Sequence, residues 1–87
     1  MKIEIKNRFT DKIIIEGEAE SVKEFLEKNW DADLQDADLR GVNLQDADLR
    51  GINFQDADLR DANLQGTKIR ITQKEDLIKS LGIKIVE

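Results

Sequence analysis

The sequence predicts a mainly β chain that winds through short extended segments and carries a small cap at each end. Three observations predict it. A five-residue period runs without interruption from Ala32 to Ile71, each period supplies two inward-type residues flanking one polar residue, and both flanks switch to strand and helix patterns. An α-helix repeats at about 3.6 residues and a plain strand at about two, so neither alone accounts for a period of five.

The N-terminal flank comes first. Ile3 and Ile5 alternate with Lys2, Glu4 and Lys6, as in a half-buried strand. Asn7 to Asp11 make a polar turn around Phe9, and Lys12 to Glu16 supply a second strand, which together predict a hairpin. Ser21 followed by Glu24 is a capping box that opens a helix from Val22 to Asn29. Its apolar face is Val22, Phe25 and Leu26, with Trp30 just beyond it, and that face is expected to cover the first repeats.

The repeats read ADLQD, ADLRG, VNLQD, ADLRG, INFQD, ADLRD, ANLQG, TKIRI. A second period of ten lies over the first, visible in DADLRGVNLQ, DADLRGINFQ and DADLRDANLQ, which implies recent duplication or deliberate consensus design. Each block places one large apolar residue at its centre, namely Leu34, Leu39, Leu44, Leu49, Phe54, Leu59, Leu64 and Ile69. Two residues earlier stands a small or β-branched one, from Ala32 through Thr67. Asp, Asn and Gly near the block ends suit corners, and a chain that turns every five residues closes after four of them.

This pattern resembles the pentapeptide-repeat family, whose signature is A-(D/N)-L-x-x. Seven of the eight blocks carry Asp or Asn before the central residue, and only TKIRI departs there. The resemblance implies a right-handed quadrilateral β-helix with four blocks per coil, hence a β-solenoid of two coils. Residue n would then lie under residue n+20, at a spacing of roughly 4.8 Å. Leu34 would stack on Phe54, Leu39 on Leu59, Leu44 on Leu64 and Leu49 on Ile69. Outside, Gln35 would meet Gln55 and Gln45 meet Gln65 in amide ladders. Arg40 would meet Arg60 and Arg50 meet Arg70, with Asp36, Asp38, Asp58 and Asp61 close enough to offset the repulsion. Phe54 and Ile52 are oversized for their columns, which implies a wider or strained second coil.

At the C-terminal flank, Thr72 with Glu75 reads as a second capping box, with a helix from Gln73 to Leu81 stopped by Gly82. Leu77, Ile78 and Leu81 would cover the second coil. Ile83-Lys84-Ile85-Val86 reads as a short strand whose partner is the N-terminal hairpin or another subunit, so Ile83 and Ile85 mark a candidate oligomer edge. One domain is expected, with caps at 1–31 and 72–87 around repeats at 32–71.

Composition narrows the function. The chain has no Cys and no His, so a thiolate metal site is excluded and the commonest general base and metal ligand are missing. Its charge is −5, and residues 32–71 hold 5 basic and 8 acidic groups, too acidic to grip a phosphate backbone. Asp36-x-Asp38-x-Arg40-Gly41 begins like a calcium loop, but Arg40 and Ala47 stand where ligands are required, so no metal or other cofactor is expected. The longest apolar run, Ile13-Ile14-Ile15, is far short of a membrane span and no leader pattern precedes it, so a cytoplasmic chain is expected. A non-enzymatic structural or protein-interaction module follows, with Gln35, Gln45, Gln55, Gln65, Arg40, Arg50, Arg60 and Arg70 as its candidate surface. Its partner would be an unidentified protein or a second copy held through a cap or edge strand. The resemblance also implies an alternative, since some long pentapeptide-repeat proteins imitate duplex DNA on DNA gyrase.

Overall fold

The computed structural model describes residues 1–80. Strand β1 (Lys2–Lys6) pairs antiparallel with β2 (Ile13–Glu18), from Lys2 opposite Glu18 to Ile5 opposite Ile15. The alternation turns Ile3 and Ile5 into the core. In the turn, the Asn7 side-chain oxygen accepts from the N–H groups of Phe9 at 2.8 Å and Thr10 at 3.1 Å. A bulge between Ile5 and Lys6 brings Lys6 opposite Ile13 and leaves Lys12 in the turn. The second strand therefore runs from 13 to 18 rather than from 12 to 16.

Helix α1 (Val22–Lys28) is capped by Ser21, whose hydroxyl accepts from the Glu24 N–H at 3.1 Å. The reciprocal half of the capping box is displaced by one residue, because the Glu24 carboxylate accepts from the Glu20 N–H at 2.9 Å. That bond, and the Lys28 ammonium behind it, hold the Glu24 carboxyl below its ordinary value. Asn29 closes the helix, its backbone and its side-chain amide both donating to the Phe25 carbonyl. Phe25 and Leu26 are buried and Val22 is half-buried against the core.

From Asp33 onward the chain passes over itself every twenty residues. Parallel bridges join Asp33 to Asn53, Asp38 to Asp58, Asn43 to Asn63 and Asp48 to Lys68. Each is held by two backbone bonds; Leu34 N–H donates to Asn53 at 2.8 Å and Asn53 N–H returns to Ala32 at 3.1 Å. The repeats thus contribute single bridged residues, and among the described residues the regular strands are those of the hairpin. A chain that turns every five residues leaves no longer straight run to pair.

The Asp or Asn of each block shapes the turn. Its side-chain oxygen accepts from the N–H two residues on, at 3.0 to 3.3 Å, from Asp33 with Gln35 through Asn63 with Gln65. Three residues past it the backbone turns left-handed at Asp36, Gly41, Asp46, Asp56, Asp61 and Gly66, with φ between 59° and 73°. Gly51 departs from this pattern. No positive φ is needed there, and a Cβ would instead run into the Trp30 backbone carbonyl. Glycine at 51 makes room for the chain leaving α1.

Both edges of the array meet flanking elements. On the lower edge the end of β1 pairs with the first turn, Arg8 N–H donating to Asp36 at 2.7 Å and Asp38 N–H to Lys6 at 2.8 Å. A side chain of α1 serves another side, where Glu27 accepts from the Asp48 N–H at 3.3 Å. On the upper edge a 3-10 turn (Ile71–Gln73) leads into helix α2 (Lys74–Ser80). The Thr72–Glu75 capping box is not formed. Gln73 takes its place, accepting from the Arg70 N–H at 2.6 Å and donating to the carbonyls of Leu49 at 2.6 Å and Ile52 at 2.7 Å. Ser80 then receives the Leu59 N–H at 2.7 Å.

One continuous core results, containing Leu34, Leu39, Leu44, Leu49, Ile52, Phe54 and Leu59 at no more than 2% exposure. The oversized Ile52 and Phe54 lie at the side that α2 reaches, where Leu77 is buried and Ser80 Oγ donates to the Phe54 carbonyl. Leu64 is only half-buried and Ile69 is 38% exposed. Leu64 and Ile69 stand on the last two sides of the second turn, and their N–H groups, which in the first turn bond to the turn above, find no backbone acceptor among the described residues. Leu81 and the expected strand with Ile83 and Ile85 lie outside the described residues.

Candidate functional site

With the apolar residues facing inward, the chemistry of the array is carried by its outward rows. Gln35, Gln45, Gln55 and Gln65 are exposed, and no hydrogen bond joins one glutamine amide to another among the described residues. The side-chain bonds across the turns start two positions earlier instead, at the asparagines. Asn53 Nδ2 donates to Asp33 Oδ1 at 3.0 Å across the stacked turns, and Asn63 Nδ2 reaches Gln45 Oε1 at 3.5 Å. The Asx turns hold these side chains near the backbone, and of the four glutamines only Gln45 bonds to another side chain among the described residues.

The arginine row is organised within each block. Arg40, Arg50 and Arg60 each grip the aspartate two residues before them, Nε on one carboxylate oxygen and a terminal nitrogen on the other, at 2.7 to 2.9 Å. Asp38 and Asp58 do offset the stacked arginines, joined by Asp48, while Asp36 and Asp61 stand at left-handed corners and make no ion pair among the described residues. The guanidinium of Arg60 holds the Asp58 carboxyl at about 2, against a burial that works the other way. Arg50 does the same for Asp48, also to about 2, and Arg40 lowers Asp38. Asp58 is the most enclosed of the three at 4% exposure, and it also faces Arg40 at 3.8 Å and Arg8 of the hairpin turn at 3.7 Å.

Arg70 breaks the rule. Two residues before it stands Lys68, so its guanidinium has no carboxylate in the place that serves the other three, and no ion pair to it occurs among the described residues. It borders a surface groove of about 390 Å³ together with Glu27, Trp30, Asp48, Arg50 and Gly51. Trp30 is 64% exposed there. The sequence signals for this place were the missing Asp/Asn of TKIRI and a tryptophan outside the apolar stripe of α1.

Nothing in the described residues gathers three or more carboxylate, His or Cys side chains into a metal cluster, and no helix is long and apolar enough to cross a membrane. The hydroxyl of Ser80 is spent on the carbonyls of Asp76 and Phe54, and that of Ser21 on the α1 cap.

A short unit repeated in tandem, each passage of the chain resting on the one twenty residues before it, defines a stacked tandem-repeat protein. Residues 31–70 match the family model of pentapeptide repeats in eight copies, so this stretch of the chain consists of such repeats. The matched frame begins one residue earlier than the 32–71 frame chosen from the Ala positions. No curated protein and no solved structure matches the chain.

Proposed function

We propose that residues 32–71 form a right-handed quadrilateral β-helix of two coils, and that the capped coil is a non-enzymatic module that displays fixed rows of side chains to a protein partner. The observation that carries this reading is the locked outer surface. Seven Asx turns and three bidentate Asp–Arg pairs hold the outward Asp, Asn and Arg side chains at set places. Pre-ordered side chains lose less freedom on association, which favours recognition over catalysis.

The experiment is site-directed photo-cross-linking in the native host, with the reactive residue placed in turn at Gln35, Gln45, Gln55 and Gln65. A discrete protein adduct from one of these positions supports the module, and a folded chain that yields none from any of them overturns it. Homo-oligomerisation through a cap or edge would give an adduct of twice the chain mass. Imitation of duplex DNA on DNA gyrase is the weaker alternative, because Asp38, Asp48 and Asp58 are each neutralised by an arginine. A supercoiling reaction unaffected by the protein would remove it.

A further inference from the structure

We propose that the groove between Trp30 and Arg70 is the docking site for an acidic peptide segment of a protein partner, whose carboxylate fills the place beside Arg70 that Asp38, Asp48 and Asp58 fill beside the other arginines. The inference rests on the reading of the chain as a protein-interaction module and names the place and chemistry of its contact.

The repeat itself supplies the argument. In three blocks the Asp-x-Arg unit is self-contained, with the Nε–Nη2 edge of the guanidinium on both oxygens of its own aspartate. In the last block the backbone half of that unit is restored, since Gln73 accepts from the Arg70 N–H at 2.6 Å. The side-chain half is not: among the described residues no carboxylate pairs with the Arg70 guanidinium, whose fork is exposed. Lys68, bridged over Asp48, stands in the place that holds an aspartate in the other three blocks.

The charges around the groove select the ligand. The groove lining sets Arg50 and Arg70 against Glu27 and Asp48, and Arg50 is taken by Asp48 in a bidentate pair, so among the described residues Arg70 is the lining cation without a carboxylate bonded to it. One carboxylate would complete it as Asp38, Asp48 and Asp58 complete the others. A phosphate dianion or a nucleic-acid strand would meet the Glu27 and Asp48 carboxylates and the negative field of the whole chain. The wall opposite is apolar: Trp30, 64% exposed, rests where Gly51 leaves room for it. Tryptophan and arginine are the residue types that most often anchor protein interfaces, and here they face one groove. An acidic residue flanked by an apolar one fits both.

Trp30 is the single tryptophan and there is no tyrosine, so emission from this chain reports the groove directly. The probe is acetyl-Leu-Glu-Leu-amide, with acetyl-Leu-Gln-Leu-amide as its uncharged counterpart. The Glu peptide should change Trp30 emission saturably with a Kd of about 1 mM, and the Gln peptide should bind at least about tenfold more weakly. Arg70→Gln should lose the response, and so should Lys68→Asp, which supplies the missing carboxylate within the chain; circular dichroism checks that both stay folded. Equal responses to the two peptides, an undiminished response in folded Arg70→Gln, or no saturable response in the unmodified protein would overturn the proposal. Tighter binding of inorganic phosphate or of oligo-dT at matched ionic strength would overturn it in favour of a phosphate site. A cross-linked partner at the glutamine rows without any peptide response at Trp30 would remove the groove and leave the interaction module in place.

Discussion

The two turns of the array are nearly the same sequence in different surroundings. In the first, Leu34, Leu39, Leu44 and Leu49 are all at 1% exposure or less, because the hairpin end and α1 lie across it from below and the second turn covers it from above. In the second, Phe54 and Leu59 are as deeply buried, yet Leu64 is half-buried and Ile69 is 38% exposed. The blocks ANLQG and VNLQD differ little, so the contrast comes from the caps. A repeat unit contributes stability in proportion to what lies on both sides of it.

The sharpest way to break the comparison is a matched pair of truncations. Leu44→Ala should cost about 3 kcal/mol, while Leu64→Ala, one turn above it, should cost about 1 kcal/mol because its site is already open to water. Urea unfolding followed by Trp30 emission measures both. Equal losses would show that the upper turn is as well covered as the lower.

A second comparison concerns charge. Asp58 is enclosed and faces three arginines, while Asp48 is open to solvent and paired mainly with Arg50. The Asp58 carboxyl lies at about 2 in the folded chain, below its ordinary value of 3.8, so its contribution is present above pH 4 and is lost as pH falls through 2. Asp58→Asn keeps the Asx turn, as Asn43, Asn53 and Asn63 do, and should remove up to about 2 kcal/mol at neutral pH along with part of the acid limb. Asp48→Asn should change stability far less. Stability against pH for the two variants and the parent separates them.

The smallest expected effect contrasts two glycines. Gly51→Ala drives a methyl into the Trp30 carbonyl, whereas at Gly41 a Cβ would meet nothing and only the φ of 70° opposes it. The first should cost about 1.5 kcal/mol and move the Trp30 emission; the second should cost about 1 kcal/mol and leave the emission alone. Identical spectra would place Trp30 away from Gly51.

Periodicity made the stacking legible, because the inward positions repeat and the register of twenty follows from four blocks per turn. The contacts that depend on how deep each side chain sits were not legible in the same way. Asx residues and glutamines stand two apart in the block, and only the geometry of the turn decides that Asn53 reaches Asp33 while the Gln55 side chain is left exposed. The aspartates that neutralise the arginines lie two residues away, a spacing that faces apart on a helix and together on this chain. The upper cap misled for another reason. Thr72 and Glu75 carry a good local signal, but Gln73 satisfies two carbonyls of the array as well as one N–H, and that tertiary gain sets where α2 begins. The groove depended on a defect in the repeat meeting an exposed tryptophan distant in sequence, a conjunction that no single motif announces.

The pairing of each residue with the one twenty places on also constrains how such a chain can change its length. Duplicating the ten-residue unit visible in the sequence would add half a circuit and swing α2 to the opposite side from α1. Duplicating twenty residues would add a whole circuit and return both ends to their present alignment. Growth in this molecule is therefore quantised, and a lineage that lengthens by the shorter unit must pass through an intermediate whose two ends no longer match.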